Sequence, residues 1–372
     1  MLSPATETEL SEIVAGAAGP LRVVGGGTRP VGRPVPGEAL SVAGLSGVVL
    51  HDPGALTLVV QAGTRLDEVE AVLASEGQRL PFEPMDHRAL LGTGGEPTIG
   101  GVVAANVSGP RRIQAGAARD SLIGVRFVDG RGTVVKNGGR VMKNVTGYDL
   151  VKLLAGSWGT LGVLTEVAFK VLPTPETAAC VRIAGLSDYQ AVEAMATALG
   201  SPFEVTGAAH VPGAAPVTLL RIEGFAASVA YRAGRLAEVM APFGSVSVQE
   251  DAGAVAEEWR RIRDVTAFAE RSGDVWRISV KPSDGPDIAK RTGGDVVYDW
   301  GGGLIWALVP EGTDLRAKLG PFAGHATLIR ASEETRARIA PFQPEAAPIA
   351  ALSAGLRAQF DPRGILNPGL MG

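Results

Sequence analysis

The 372-residue chain has one cysteine, Cys180, which excludes an intramolecular disulfide, an iron–sulfur cluster and a thiolate zinc site built from this chain alone. It has four histidines, His51, His87, His210 and His325, and no two stand at the i,i+4 or strand i,i+2 spacing of a ligand pair, so no metal site is expected. Neither sign of charge dominates. Lys and Arg number 35 against 39 Asp and Glu, and the net charge of −4 offers no basic field for nucleic acid. No run of about 18 apolar residues exists, and no apolar segment follows a basic N-terminus. The expectation is a reduced, soluble, cytoplasmic protein with no direct membrane insertion. There is also no G-x-G-x-x-G turn followed by an acidic ribose ligand.

Glycine and proline are abundant. At 50 Gly and 25 Pro they make about one residue in five, which suits many short strands and turns rather than a helix bundle. With 45% hydrophobic and 20% charged residues, the chain can bury a sizeable core, and its length suits two to three domains. Composition bias accounts for part of the glycine, so clusters carry more meaning than single residues. A glycine cluster costs chain entropy and is useful where main-chain N–H groups must approach a ligand, most often a phosphate. Three such clusters stand out: Gly25, Gly26 and Gly27 with Thr28; Gly100 and Gly101 after Thr98; and the stretch from Gly156 to Gly162. Together they read as one dinucleotide site.

In chain order, Thr6-Glu7-Thr8-Glu9 is a capping box opening a helix over residues 7–17. A short strand at residues 21–24 runs into the first glycine turn. A second strand covers residues 56–61, and Thr64 caps a helix with Leu66, Val69, Val72 and Leu73 on one face. Residues 123–128 and 133–136 flank an Asp-Gly-Arg-Gly turn, a hairpin signal. A helix at 149–155 ends at Gly156, and a strand at 162–172 is stopped by Pro173-Thr174-Pro175, the expected first domain boundary. Beyond it, strand–helix–strand units predict an α+β domain with helices on one side of a mostly antiparallel sheet. A helix at 348–360 precedes the tail.

Five motifs now stand in order: GGGT at 25–28, TIGGVVAANVSGPRR at 98–112, RVMKNVTGYDL at 140–150, GSWGTLGVLTE at 156–166 and FDPRGILNPG at 360–369. Together they resemble the FAD-binding domain of the vanillyl-alcohol-oxidase-type (PCMH-type) flavoproteins, and within that family the FAD-binding subunits of bacterial glycolate oxidase. The resemblance implies an α+β fold in three parts. Residues 1–175 form a two-subdomain PCMH-type FAD-binding domain, residues 176–345 an α+β cap with a mostly antiparallel sheet, and residues 346–372 a helix and tail returning to the flavin domain. It implies FAD as cofactor, held by Gly25, Gly26, Gly27, Thr28, Thr98, Gly100, Gly101, Ala104, Ser108, Gly109, Gly159, Gly162, Val163 and Asn367. The turn at 25–28 would form an anion nest, the bare Gly100-Gly101 backbone would lie against the cofactor, and residues 159–163 would reach its adenine end. Relatives with covalent flavin use a His in the first glycine loop, or a Cys. Here that loop reads Gly27-Thr28-Arg29 and Cys180 lies past the domain boundary, so the flavin is expected to be non-covalent.

Other residues stay open. Arg111 and Arg112 face the pyrophosphate, a partner or solvent; Asp120 caps its loop; Trp158 packs on the cofactor or in the core. Related D-2-hydroxy-acid flavoproteins carry a His-rich metal motif that this chain lacks, with Gly324-His325-Ala326 standing near its place. The implied function is therefore a subunit of a glycolate oxidase complex, beside a homologous flavoprotein subunit and an iron–sulfur subunit, and at the inner membrane only through those partners. The alternative is a self-sufficient dehydrogenase of a small 2-hydroxy acid such as D-lactate, with His325, Arg330 or Tyr298 as base. No catalytic residue is assigned. Trp259, Trp276, Trp300 and Trp306 all fall in the cap, as a partner surface or as plain core.

Overall fold

The computed structural model describes residues 1–139 and 147–372, so residues 140–146 of the RVMKNVTGYDL motif lie outside the described residues. The chain opens with the helix its capping box implies. In α1 (Glu7–Gly16) the Thr6 hydroxyl accepts from Glu9 N, and Leu10 and Val14, one turn apart, are buried. β1 (Leu21–Val24) pairs in parallel with β2 (Glu38–Ser41), and the C-terminal tail joins β1 through a parallel bridge between Leu21 and Leu366.

Five antiparallel strands follow: β3 (Val48–Asp52), β4 (Thr57–Gln61), β5 (Leu122–Val128), β6 (Val134–Gly138) and β7 (Val163–Lys170), in spatial order β3-β4-β7-β5-β6. The β5–β6 hairpin forms as its Asp-Gly-Arg-Gly turn suggests, with Asp129 Oδ1 accepting from Arg131 N and Thr133 N. Between β4 and β5 lie α2 (Leu66–Ser75) and α3 (Ile99–Ala104). Thr64 does not cap α2: the N-cap residue is Arg65, and the Thr64 hydroxyl instead donates to Gln61 O at 2.7 Å and accepts from Gly47 N at 3.0 Å, closing the turn before the helix.

The C-terminal half is built on eight antiparallel strands: β8 (Thr177–Ala184), β9 (Gly207–Val211), β10 (Val217–Gly224), β11 (Ser245–Gln249), β12 (Asp274–Val280), β13 (Asp295–Asp299), β14 (Leu304–Val309) and β15 (Gly324–Arg330). Their spatial order is β11-β8-β10-β9-β13-β14-β12-β15. Strand alternation divides the residues between two cores. Ala179, Val181 and Ile183 face α4 (Asp188–Leu199) and α5 (Ala226–Met240), whereas Cys180 faces the core of the N-terminal half. In β14, Ile305 and Ala307 point one way while Leu304, Trp306 and Leu308 join that N-terminal core. Both faces are covered, so these strands read as near-continuous apolar runs. The fold is α+β, with a large antiparallel sheet in its second half. Trp259, Trp276 and Trp306 are 0%, 0% and 5% exposed, so they are core and do not form a partner surface.

A buried ion-pair network joins the halves. Arg221 on β10 forks onto Glu83 at 3.0 and 2.9 Å. Arg111 reaches Glu223 at 2.8 and 2.6 Å, and Arg79 reaches the same carboxylate at 3.0 Å. Arg111 therefore faces neither a pyrophosphate nor solvent. Burial opposes ionisation of Glu223, but Arg221 and Arg111 outweigh it and hold its carboxyl well below the usual range; Glu83 is lowered by Arg221 and Arg111 against the same penalty.

Removing one partner strands the opposite charges in a buried place. Glu223→Gln is expected to lower stability by about 3–5 kcal/mol in urea unfolding. Because the folded pKa values of Glu83 and Glu223 lie below their ordinary 4.5, their contribution is complete above that pH and drains away as pH falls below it. Wild-type stability should fall more steeply on acid titration than that of Glu223→Gln; parallel curves would show that the network does not join the halves.

Candidate functional site

A cleft opens between the end of β1, the start of α3, the loop before β7 and the C-terminal tail. Its wall brings together Gly25, Gly26, Gly27, Thr28, Thr98, Gly100, Gly101, Ala104, Gly159, Gly162, Val163 and Asn367 from four distant parts of the sequence. Ser108 and Gly109 are not in that wall. Ser108 Oγ accepts from Ala118 N and donates to Asn106 O, and Gly109 sits against Glu83 O, where a side chain would overlap.

The glycines do different work. Among the described residues the N–H groups of Gly25, Gly26, Gly27 and Thr28 have no acceptor, and the Thr28 hydroxyl has no partner. Gly27 has φ +71 with open space where a side chain would project, so its backbone conformation alone favours glycine. A side chain on Gly26 or Gly25 would overlap Glu96 O or Thr98 Oγ1, so those two are bare to let the turn lie against residues 96–98. Consecutive free N–H groups in such a turn make an anion nest.

Gly100 and Gly101 line the cleft, but their N–H groups are already taken, Gly100 N by Ala62 O at 2.8 Å and Gly101 N by Thr98 Oγ1 at 3.3 Å. A Cβ on Gly100 would come 2.7 Å from Ala62 Cβ, so its bareness also lets α3 seat on the end of β4. Gly101 lies beside Arg29, whose Nη1 is 3.2 Å from the position a Cβ would take.

Asn367 ties the tail into the site. Its Oδ1 accepts from Val23 N and its Nδ2 donates to Trp158 O, both at 2.8 Å. Trp158 lines the cleft with φ +54 and packs edge-on against Phe342. Asp120 caps its loop, accepting from Ala117 N at 2.8 Å.

The residue that motif reading passed over is Arg29. Its Nε donates to His87 Nδ1 at 3.2 Å, which fixes His87 as the neutral acceptor, while its Nη2 is buried without a partner. Burial, then Arg29, push the His87 imidazole down to about 3; burial lowers Arg29 to about 10, leaving it charged at neutral pH. Arg29 directly follows the Gly-Gly-Gly-Thr turn, and that adjacency was its only sequence signal. A free guanidinium nitrogen and a row of free N–H groups fit a ligand carrying two phosphates.

The proton-handling candidates are mostly engaged elsewhere. Tyr298 is buried and donates to Asp188 at 2.6 Å, with burial and that contact raising its pKa. Arg330 binds the carbonyl oxygens of Leu90, Phe268, Arg271 and Gly273. His325 is exposed on β15. Burial pushes the Cys180 thiol up to about 12, and it sits in the core away from the cleft wall. Among the described residues no cluster of three His, Cys, Asp or Glu could hold a metal, and no helix is long and apolar enough to cross a membrane.

Arg29→Met should leave the fold intact and weaken FAD binding by about tenfold or more, as expected for a lost charge-assisted contact. Flavin retained through gel filtration, beside the melting temperature, measures this; unchanged affinity would show that the guanidinium does not meet the cofactor.

Residues 1–138 match the family model described as an FAD binding domain. Over 355 residues the chain is 36% identical to the glycolate oxidase subunit GlcE of Escherichia coli, covering 95% of this chain and 92% of that protein. It is 34% identical over 184 residues to the glycolate oxidase subunit GlcD of Bacillus subtilis, covering 48% of this chain and 37% of that one. Among solved structures, alkyldihydroxyacetonephosphate synthase shares the fold at TM-score 0.71 and 16% identity, covering 98% of this chain and 76% of that one. With this fold, and with a match running along nearly its whole length, the chain belongs to the GlcE family of glycolate oxidase subunits, within the FAD-dependent oxidoreductases.

Proposed function

We propose that this chain is the FAD-binding subunit of a glycolate oxidase complex and supports oxidation of glycolate to glyoxylate. The observation that carries the reading is the row of free N–H groups from Gly25 to Thr28 beside the unpaired Arg29 nitrogen, inside a matched FAD binding domain. The turn and Arg29 would hold the pyrophosphate, the 159–163 loop would border the adenine end, and Asn367 would keep the tail closed over the site. FAD, when bound, accepts the two electrons released by the acid. The cofactor is held non-covalently, because the glycine turn has no His and Cys180 is an inert core thiol.

Among the described residues the cleft wall contains no Asp, Glu or His to take the hydroxyl proton. This favours a chain that works beside a homologous flavoprotein subunit, and similarity to both a GlcE and a GlcD supports that pairing. An iron–sulfur subunit completes the proposed electron path, since Cys180 alone cannot ligate a cluster. In this reading the flavin domain ends near Pro173-Thr174-Pro175, residues 176–345 cap it, and residues 346–372 return to it. The complex works on the cytoplasmic side, and any attachment to the inner membrane is made by the partners. The second reading, a self-sufficient 2-hydroxy-acid dehydrogenase, is favoured by one feature, a pair of unpaired arginines at the seam between the halves.

The purified chain should be yellow and release all its flavin on acid precipitation. Glycolate or D-lactate added anaerobically should leave the lone chain's flavin oxidised, while co-expressed partners restore bleaching. Rapid bleaching by the lone chain would establish the second reading, and a folded chain that stays colourless with excess FAD would end both.

A further inference from the structure

Where the N-terminal half meets the eight-stranded sheet, one indole carries two guanidinium groups. Arg112 lies 4.5 Å from the centroid of the Trp300 ring, and Arg277, on β12, lies 4.9 Å from it. The other arginines of the seam are engaged: Arg79, Arg111 and Arg221 pair with carboxylates, and Arg330 binds carbonyl oxygens. Among the described residues the Arg112 and Arg277 guanidinium groups have neither a hydrogen bond nor an ion pair. Both are half-buried; burial and then the Arg112 charge lower the pKa of Arg277 to about 10, and burial and then Arg119 lower that of Arg112. The acid that acts on Arg277, Asp299, is only partly ionised at neutral pH and compensates it incompletely. Asp299 is 3% exposed, accepts from Trp300 N at 2.7 Å, and is pushed up to about 7 by burial.

The indole is held in place on purpose-built backbone. Trp300 has φ +53, in the left-handed region that a bulky residue rarely adopts, and Gly301 and Gly302 follow at +67 and +98. Its Nε1 donates to Gly109 O at 3.1 Å, which locks it across the seam. Arg277 lies within electrostatic reach of His87, the residue that binds Arg29 of the cleft wall. His325, on β15 next to β12, lies within electrostatic reach of both arginines, and partial burial and then their charges lower its pKa.

Two cations, half out of water and with no carboxylate in direct contact among the described residues, form a surface for an anion, and guanidinium groups match the geometry of a carboxylate. We propose that Arg112, Arg277 and Trp300 form a carboxylate site belonging to this chain, with His325 at its edge, which takes a small 2-hydroxy acid next to the cofactor cleft. This rests on the FAD-subunit reading for the identity of the acid, but not for the existence of the site.

The test uses the full chain, FAD-loaded and FAD-free, titrated with oxalate, a carboxylate probe that cannot be oxidised at a C–H bond. Binding is read by calorimetry and by tryptophan fluorescence, with Trp300→Phe identifying the responding indole. Oxalate should bind, with an affinity that falls as salt rises, and Arg277→Met and Arg112→Met should each weaken it by about tenfold or more. Arg277→Lys, which keeps the charge but loses the fork, should recover part of the loss, and melting temperatures show whether each variant is folded. Glycolate should compete with oxalate; glycolamide, its neutral analogue, should not. A folded, FAD-loaded chain that ignores oxalate overturns the site while leaving the FAD subunit standing. Unchanged affinity in both Met variants, or tighter binding of inorganic phosphate than of oxalate, also overturns it. A chain that binds oxalate but never takes up FAD upholds the site and removes the FAD reading instead.

Discussion

Main-chain donors left without acceptors are the constraint around which this molecule is arranged. The N–H groups of Gly25, Gly26, Gly27 and Thr28 have no acceptor among the described residues, and Thr28 is 4% exposed. Partly shielded donors that converge in one turn favour a ligand able to accept from them together. A phosphate does so, and the neighbouring guanidinium of Arg29 adds a charge that a neutral ligand would not repay. The C-terminal tail beside β1 and the loop before β7 close this nest from either side.

The second organising feature is the seam. Glu83, Arg111 and Arg79 from the N-terminal half meet Arg221 and Glu223 from the eight-stranded sheet in one buried network. Such a network adds little net stability over an apolar contact, but it penalises any other docking of the two halves, because a shifted sheet would bury unpaired charge. It therefore fixes where β12, β13 and β15 stand relative to the cleft. Arg277, Trp300 and His325 all come from that end of the sheet.

Saturation separates scaffold from site. Arg330, with its carbonyl partners, and Tyr298, held by Asp188, are structural although they sit in the region where a base was sought. Arg29 keeps a buried donor without a partner beside the glycine turn, and Arg112 and Arg277 stack on Trp300 at the seam with no hydrogen bond or ion pair among the described residues. Among the described residues the cleft wall has no carboxylate or imidazole, so its lining suits holding a cofactor better than moving a proton.

The sequence by itself determined the element order, the cofactor class and most of the cleft wall, because a glycine turn, a capping box or an Asp-Gly-Arg-Gly hairpin is set by neighbours a few residues apart. It could not separate a glycine that frees donors, such as Gly27, from one that lets a helix touch a strand, such as Gly100, since both look alike until the packing partner is known. It missed β2, β3 and β13, short strands whose pairing rather than pattern makes them strands. Only the tertiary structure decided that Arg111 is spent on Glu223 while Arg112, the next residue, stacks on Trp300, nearly two hundred positions away. A side chain's partner is a property of where the chain returns, and that return is set by the packing of whole sheets.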